Sequence, residues 1–224
     1  MRADSTTPAA STEAIVFDLG GVFIEWNPRN LYRKLIPSEA VMEHFLETIC
    51  TPTWHLQLDA GVSFTTAAEP LMAKHRPLRS LIQAYNDRFD EMWGAPSSAL
   101  VQMLAEIQLS GVPTYAATNW PGEYWKLALD TFPFLRSFDG ALVSGLIGVT
   151  KPSPAFYQTL TTTFSLTPAR TLFIDDRLDN VYAASKAGYR THQFLDNLDL
   201  RTFLLENGLS INQGDVDADD RPRW

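Results

Sequence analysis

Short apolar runs that stop at polar or glycine residues recur along the chain. The run Ala-Ile-Val-Phe at 14–17 is followed by Asp18 and by a glycine pair at positions 20 and 21. A continuous apolar run of this length, closed by turn residues, is typical of a strand buried on both faces. The same pattern predicts further strands at 112–117, 141–144, 171–174 and 189–194, the last of them at a sheet edge.

Helical patterns lie between these runs. Residues 97–109 carry apolar side chains at helical spacing and are followed by Gly111, and residues 180–186 lead into Gly188; glycine at such positions commonly ends a helix. Strands that alternate with helices predict an α/β fold with a doubly wound parallel sheet. Because ligands of such sheets bind beyond the carboxyl ends of the strands, Asp18, Thr118 and the pair Asp175–Asp176 are candidate site residues.

One block breaks the alternation. Residues 30–35, 38–49, 63–75 and 77–89 each show apolar spacing near 3.6, which predicts four helices. The turn-rich segment 93–96 then marks the return to the sheet. We therefore expect a smaller all-helical cap at 29–93 and a core at 13–28 and 94–211, flanked by a flexible leader at 1–12 and an acidic tail at 212–224.

Charge and composition narrow the possible partners. The chain has 18 Lys and Arg against 26 Asp and Glu, a formal net charge of −8, and carries no basic patch. This balance argues against nucleic acid and an anionic membrane surface, and if the chain handles a small anion, it needs a local device that neutralises the anion's charge. Cys50 is the single cysteine, and the sequence has neither a signal-peptide pattern nor a long apolar run. A cytoplasmic location is therefore expected.

The acidic pair indicates a metal. Asp175 and Asp176 follow an apolar strand directly, so two like charges meet at the edge of a buried sheet. That arrangement is costly unless a cation neutralises it, and Mg²⁺ is the divalent ion that suits such oxygen ligands. A strand-end Asp, Thr or Lys taken alone has ordinary interpretations as a cap or turn residue.

Taken in order, the polar positions resemble the haloacid dehalogenase-like (HAD) hydrolase superfamily. The first motif is similar to Phe-Asp-Leu-Gly-Gly-Val at 17–22, the second to Thr118, the third to Lys151–Pro152, and the fourth to Asp175–Asp176 with Asn180. The resemblance covers residues 14–196 and implies a Rossmann-like core with a helical cap inserted after the first motif.

The resemblance implies a mechanism and a role for each residue. Asp18 attacks phosphorus and forms an aspartyl phosphate, which water then cleaves. Mg²⁺ is held by the Asp18 carboxylate, the backbone carbonyl of Gly20 and Asp176, with Asp175 as a direct or indirect partner. The phosphate is bound by Thr118, the Asn119 N–H and Lys151; Asn180 orients the acidic pair or a bound water, and Gly20 and Gly21 allow the sharp turn.

One departure from the family pattern concerns proton transfer. Phosphatases of the family usually carry a second Asp two residues after the nucleophile, as general acid and base, where this chain has Gly20. Either the substrate has a good leaving group, such as an anomeric sugar phosphate, or a cap residue replaces the acid. The candidates for that replacement are Glu25, His44, His55 and Asp59.

The expected function is thus a Mg²⁺-dependent phosphomonoester hydrolase acting on a small phosphorylated metabolite. One alternative is a metal-independent 2-haloacid dehalogenase with the same nucleophile, for which Lys151 and Tyr157 have suitable spacing and Arg29 or Arg33 would hold the halide or carboxylate. The acidic pair argues against it, because without a cation it repels a carboxylate substrate. The other alternative is a non-catalytic binding module, which would have no need of all four polar positions together.

Overall fold

The computed structural model describes residues 11–212. The predictions for a flexible leader at 1–12 and an acidic tail at 212–224 therefore fall almost wholly outside the described residues. Within those residues the strands are β1 (Ala14–Phe17), β2 (Ile24–Trp26), β3 (Trp93–Pro96), β4 (Thr114–Thr118), β5 (Gly140–Val143), β6 (Thr171–Asp175) and β7 (Arg190–Gln193).

Five strands form the predicted parallel sheet, in the order β5-β4-β1-β6-β7. Ile15 of β1 pairs with Thr114 on one side and with Leu172 on the other. This register brings the carboxyl ends of β1, β4 and β6 to one edge of the sheet. The backbone N–H of Asp18 donates to the Ile174 carbonyl at 2.8 Å. The backbone of Asp18, the residue that follows β1, is therefore still hydrogen-bonded to the neighbouring strand β6.

Eleven α-helices are present in the described part of the chain, and six of them follow strand β3. These six are α6 (Ser98–Leu109), α7 (Trp125–Thr131), α8 (Ser144–Ile147), α9 (Pro154–Thr163), α10 (Leu178–Lys186) and α11 (Asn197–Glu206). Leu100 of α6 and Leu204 of α11 belong to the same buried cluster as Ile15, whereas Phe156 of α9 and Ala184 of α10 belong to the cluster of Val16. Helices thus cover both faces of the sheet, which confirms the doubly wound α/β class.

The first block contains five helices where four were predicted. They are α1 (Arg29–Tyr32), α2 (Glu39–Thr48), α3 (Pro52–Asp59), α4 (Phe64–Lys74) and α5 (Arg79–Asp87), and we call them together the helical block. Apolar spacing does not predict α3, which is short and buries only Trp54, Leu58 and Asp59. Its start was nevertheless marked, since Thr51 accepts from the Trp54 N–H as an N-cap and Pro52 occupies the first turn.

Residues 93–96 are a strand, not the turn that the sequence predicted. Trp93 pairs with Trp26, and Pro96 with Ile24, in an antiparallel ribbon of β2 and β3. The chain enters the helical block after β2 and leaves it before β3, so the ribbon pairs the two segments that connect this block to the sheet. Glycine and proline made the segment look like a loop, but its partner strand lies about seventy residues earlier, beyond the reach of local pattern. None of the described helices has both the length and the apolar character needed to cross a lipid bilayer.

Candidate active site

A cleft of about 650 Å³ lies between the carboxyl edge of the sheet and the helical block. We call its sheet side the floor; it consists of Asp18, Gly20, Gly21, Asn119, Lys151, Asp176 and Asn180, which border the cleft, and of Asp175, which is fully buried beneath them. We call its other side the wall; the wall residues are Glu25, Trp26, Pro52, His55, Leu56, Asp59, Phe89, Trp93 and Trp120. Two further charged residues, Arg177 and Asp179, border the cleft and pair with each other.

Lys151 joins the first and fourth motifs. Its Nζ donates to Asp175 Oδ2 at 2.6 Å and lies 2.9 Å from Asp18 Oδ2. The lysine side chain has no exposed surface, and Asp18 is 6% exposed. The other oxygen of Asp18, Oδ1, accepts from the Leu19 N–H at 2.7 Å. The strand-end carboxylate is therefore fixed in place by one cation and one backbone donor.

The acidic residues outweigh the lysine. Burial raises the pKa of Asp18 to about 8; attraction to Lys151 works against this rise, and repulsion from Asp175 and Asp176 adds to it. Burial also raises the pKa of Asp176 to about 6, with Asp175 adding to the effect. The pKa of Lys151 is itself raised, since attraction to Asp175 and Asp18 exceeds the opposing effect of burial. The floor thus holds more potential negative charge than its single lysine neutralises.

Asp175 has donors on both oxygens. Oδ1 accepts from the Arg177 backbone N–H at 3.0 Å and from Asn180 Nδ2 at 2.9 Å, while Oδ2 accepts from Lys151. Asp175 is fully buried and Asn180 nearly so. These bonds hold Asp175 against the start of α10, so the structure brings Asp175 and Asn180 together.

Asp176 lacks such partners. Its Oδ1 is buried and has no hydrogen-bond partner among residues 11–212. Gly21 stands beside it with φ 72°, and a Cβ at that position would collide with the Asp176 carboxylate, so only glycine fits. One carboxylate oxygen from each of Asp18, Asp175 and Asp176 lies within 4.8 Å of the others. An unsatisfied buried oxygen within a group of hard oxygen donors fits a bound divalent cation such as Mg²⁺.

The second motif contributes differently from what was expected. Thr118 is fully buried at the end of β4 and does not border the cleft, whereas Asn119 does. The Asn119 side chain donates to the Lys151 carbonyl at 3.0 Å and accepts from the Lys151 N–H at 2.9 Å. These two hydrogen bonds hold the backbone of Lys151 against the end of β4. The sequence indicates a role only for the Asn119 backbone, because a side-chain contact across 32 positions leaves no local signal.

The four candidates for the missing acid separate by location. Glu25, His55 and Asp59 border the cleft, while His44 is exposed on α2 and does not. The residues named for a dehalogenase also lie elsewhere: Arg29 binds Glu43, Arg33 lies 3.7 Å from Glu39, and neither borders the cleft. Tyr157 is buried, and its hydroxyl donates to the Asn180 carbonyl at 2.8 Å.

Known proteins resemble this chain over most of its length. The sesquiterpene phosphatase astK of Aspergillus oryzae is 28% identical over 192 residues, which cover 83% of this chain and 91% of that protein. A HAD family enzyme of Bacteroides thetaiotaomicron, solved with magnesium and inorganic phosphate, is 20% identical with a TM-score of 0.65, over 82% of this chain and 94% of that one.

A second type of chemistry occurs among the structural neighbours. L-2-haloacid dehalogenase of Xanthobacter autotrophicus, solved with chloropropionic acid covalently bound, is 19% identical with a TM-score of 0.59, over 89% of this chain and 85% of that one. At these identities the solved structures establish a shared fold and not a shared activity. Residues 12–188 match the family described as haloacid dehalogenase-like hydrolase. Because the match spans most of the chain, the protein belongs to the haloacid dehalogenase-like hydrolases and is an enzyme of that family.

Proposed function

We propose that the protein is a Mg²⁺-dependent phosphomonoester hydrolase with Asp18 as its nucleophile. The observation that carries the proposal is the floor: a buried Asp18 paired with Lys151 at 2.9 Å, beside an Asp176 oxygen that has no partner among the described residues. The activity of the Aspergillus oryzae relative and the ligands of the Bacteroides thetaiotaomicron structure support the same reaction.

The floor residues would divide the metal and phosphate roles among them. The Asp18 carboxylate, the Gly20 carbonyl and Asp176 would hold Mg²⁺, and Asp175 with Asn180 would orient them, since both Asp175 oxygens already accept from other donors. When bound, Mg²⁺ supplies positive charge that offsets the acidic cluster and the incoming phosphate. Lys151 and Asn119 would hold the phosphoryl oxygens, whereas Thr118 is buried and does not border the cleft.

Asp18 would carry the phosphoryl group between two steps. One of its carboxylate oxygens forms a bond to phosphorus while the bond from phosphorus to the leaving oxygen breaks, and water later attacks the aspartyl phosphate to release inorganic phosphate. Lys151 stays beside Asp18 in both steps and balances charge on the carboxylate and on the phosphoryl oxygens. Its fixed position between Asp18 and Asp175 supports this role.

The wall supports a leaving group with an apolar surface. Trp26, Phe89, Trp93 and Trp120 border the cleft, and the indole nitrogens of the three tryptophans are buried without a hydrogen-bond partner among residues 11–212. Aromatic faces accept both the C–H face of a sugar and an isoprenoid chain. There are therefore two candidate substrates: the sugar phosphate predicted from the sequence, and a sesquiterpenyl monophosphate, which the Aspergillus oryzae relative suggests.

The rival reaction is the metal-independent dehalogenation of a 2-haloacid. It needs a cationic or neutral cradle for the substrate carboxylate, but Arg29 and Arg33 lie outside the cleft and the floor presents three carboxylates. Repulsion between those carboxylates and the substrate disfavours this reaction.

Turnover of p-nitrophenyl phosphate with Mg²⁺ and with EDTA, and chloride release from 2-chloropropionate, separate the candidates. We expect Mg²⁺-dependent phosphate release that falls about 10³-fold or more in Asp18→Asn, because that variant keeps the shape and removes the nucleophile. Asp90→Asn, an exposed carboxylate outside the cleft, is the matched control and should keep the wild-type rate. Metal-independent chloride release would establish the dehalogenase instead, and no turnover of any substrate would favour a binding module.

A further inference from the structure

The local backbone does not require glycine at position 20, where the family's phosphatases usually carry an acid. A Cβ built on Gly20 has no atom within 4 Å, and the residue does not adopt a left-handed conformation. An aspartate would therefore fit where the family's phosphatases usually carry one. Because general acid and base assistance is worth roughly 10²–10⁴-fold, another group in the cleft is expected to supply the proton.

His55 of α3 is built into the wall with its ring fixed on three sides. The imidazole stacks on Trp26 with ring centroids 4.3 Å apart and lies nearly parallel to Phe89 at 6.3 Å. Its Nδ1 lies 2.7 Å from the Tyr85 hydroxyl, a hydrogen bond that orients the ring. The side chain is 12% exposed, and that exposure is toward the cleft it borders.

The second ring nitrogen is left available. Nε2 makes no hydrogen bond within residues 11–212, and it lies 3.4 Å from Asp59 Oδ1. Asp59 is 4% exposed, and its Oδ1 likewise has no hydrogen-bond partner in the described chain. A buried carboxylate at this distance attracts the positive charge that the ring carries when protonated, and the face of Trp26 does the same.

The other candidates fit less well. Glu25 borders the cleft, but its carboxylate accepts from Asn27 Nδ2 at 3.0 Å. The titratable groups near His55 are Tyr85 from α5 and Asp59 from its own helix, and Glu25 of β2 lines the same wall. Among the candidates for the missing acid, only His55 combines an oriented ring, a nitrogen without a hydrogen bond and a counter-charge.

We propose that His55 is the proton donor to the leaving group and that Asp59 and Tyr85 are its positioning residues; this rests on the phosphatase function proposed above. As an Asp18 oxygen bonds to phosphorus, the electron pair of the breaking P–O bond goes to the leaving oxygen, which takes the Nε2 proton of His55. The neutral ring then accepts a proton from the water that attacks the aspartyl phosphate, which restores the protonated ring.

A series of similar substrates tests the donor: p-nitrophenyl, phenyl and benzyl phosphate, whose leaving groups become progressively poorer. We expect His55→Gln to lower kcat for benzyl phosphate about 10²–10⁴-fold and kcat for p-nitrophenyl phosphate less than tenfold, because a good leaving group does not need the proton. His44→Gln, on exposed α2, is the matched control and should change neither rate.

A rescue and a second variant complete the test. Adding Gly20→Asp to His55→Gln should restore kcat for benzyl phosphate at least tenfold, since the new carboxyl would act as the acid. Asp59→Asn keeps the shape of the wall and should also slow benzyl phosphate more than p-nitrophenyl phosphate, which tests the proposal even if His55→Gln does not fold.

Two results would overturn the inference. Equal losses on all three substrates, or a change in KM alone, would make His55 a wall residue that only contacts the leaving group. If the wild type hydrolyses none of the three phosphates, the phosphatase proposal itself fails; if it hydrolyses them and the variants leave the leaving-group dependence unchanged, only the role of His55 is wrong.

Discussion

The floor and the wall of the cleft treat their polar groups in different ways. On the floor, buried charges contact one another: Lys151 lies between Asp18 and Asp175, and Asp175 has donors on both oxygens. On the wall, aromatic rings surround polar atoms that lack hydrogen bonds, including Asp59 Oδ1 and three indole nitrogens. A network that is nearly satisfied suits groups that must not move, whereas unpaired groups suit contact with a ligand. The floor would thus perform the common chemistry and the wall would adapt it to one substrate.

Removing the positive charge of Lys151 from the floor is the most severe test of this contrast between floor and wall. Lys151→Met keeps the length of the side chain but leaves Asp18 and Asp175 without their partner. Breaking a buried pair in this way costs about 3–5 kcal/mol of unfolding free energy, measured by urea titration without Mg²⁺, and should reduce phosphatase activity at least 10³-fold.

Lys126→Met is the control for that variant. Lys126 is 88% exposed and pairs with Asp130 on the surface, so its loss should change the free energy of unfolding by no more than about 0.5 kcal/mol. If both variants unfold at the same urea concentration as the wild type, the floor is not the tight electrostatic unit described above.

Metal addition tests Asp176, the floor carboxylate whose Oδ1 has no hydrogen-bond partner among residues 11–212. At about 100 times its dissociation constant, Mg²⁺ should stabilise the wild type by about 2.7 kcal/mol, which for a chain of this size raises Tm by about 5–10 °C. Asp176→Asn should lose most of that rise, because it removes a ligand that the proposal requires.

The neighbouring carboxylate supplies the comparison for Asp176. Asp179 borders the cleft but is paired with Arg177 and lies outside the acidic cluster, so Asp179→Asn should keep the Mg²⁺-induced rise in Tm measured by scanning calorimetry. A wild-type Tm that does not respond to Mg²⁺ would argue against the magnesium site.

The floor and the wall also differ in how far the sequence predicts them. Asp18 and Asp175 each end an apolar run, and since parallel strands end at one edge of a sheet, the pattern predicts that they meet. His55 and Tyr85 are thirty positions apart and meet only because α3 and α5 both belong to the helical block, where apolar spacing does not predict α3. Local periodicity predicts where strands end, but it does not predict which helix faces contact each other.

A substitution on the wall tests whether that side selects the substrate. Leu56 of α3 borders the cleft and is half exposed. Leu56→Ser should lower kcat/KM about tenfold for an apolar substrate such as farnesyl monophosphate, because it removes apolar contact worth about 1–2 kcal/mol. The loss should be smaller for α-glucose 1-phosphate and p-nitrophenyl phosphate. Leu109→Ser, at an exposed position on α6, should change none of these rates, and a loss equal on all substrates would show that Leu56 does not discriminate.

The smallest expected effect concerns a contact that links the helical block to the sheet. The Glu123 carboxylate accepts from the Phe64 N–H at 2.7 Å, at the first turn of α4. A carboxylate there satisfies an unpaired donor and interacts favourably with the helix dipole. Glu123→Gln should therefore lower the unfolding free energy by about 0.5–1 kcal/mol at low salt, and by less at high salt, whereas Glu69→Gln, exposed further along α4, should have no such effect. If the loss of unfolding free energy in Glu123→Gln is independent of salt, the bond acts through packing and not through charge. The floor and the wall are then joined by apolar contacts, such as the stacking of Phe89 on Tyr124 with ring centroids 3.8 Å apart.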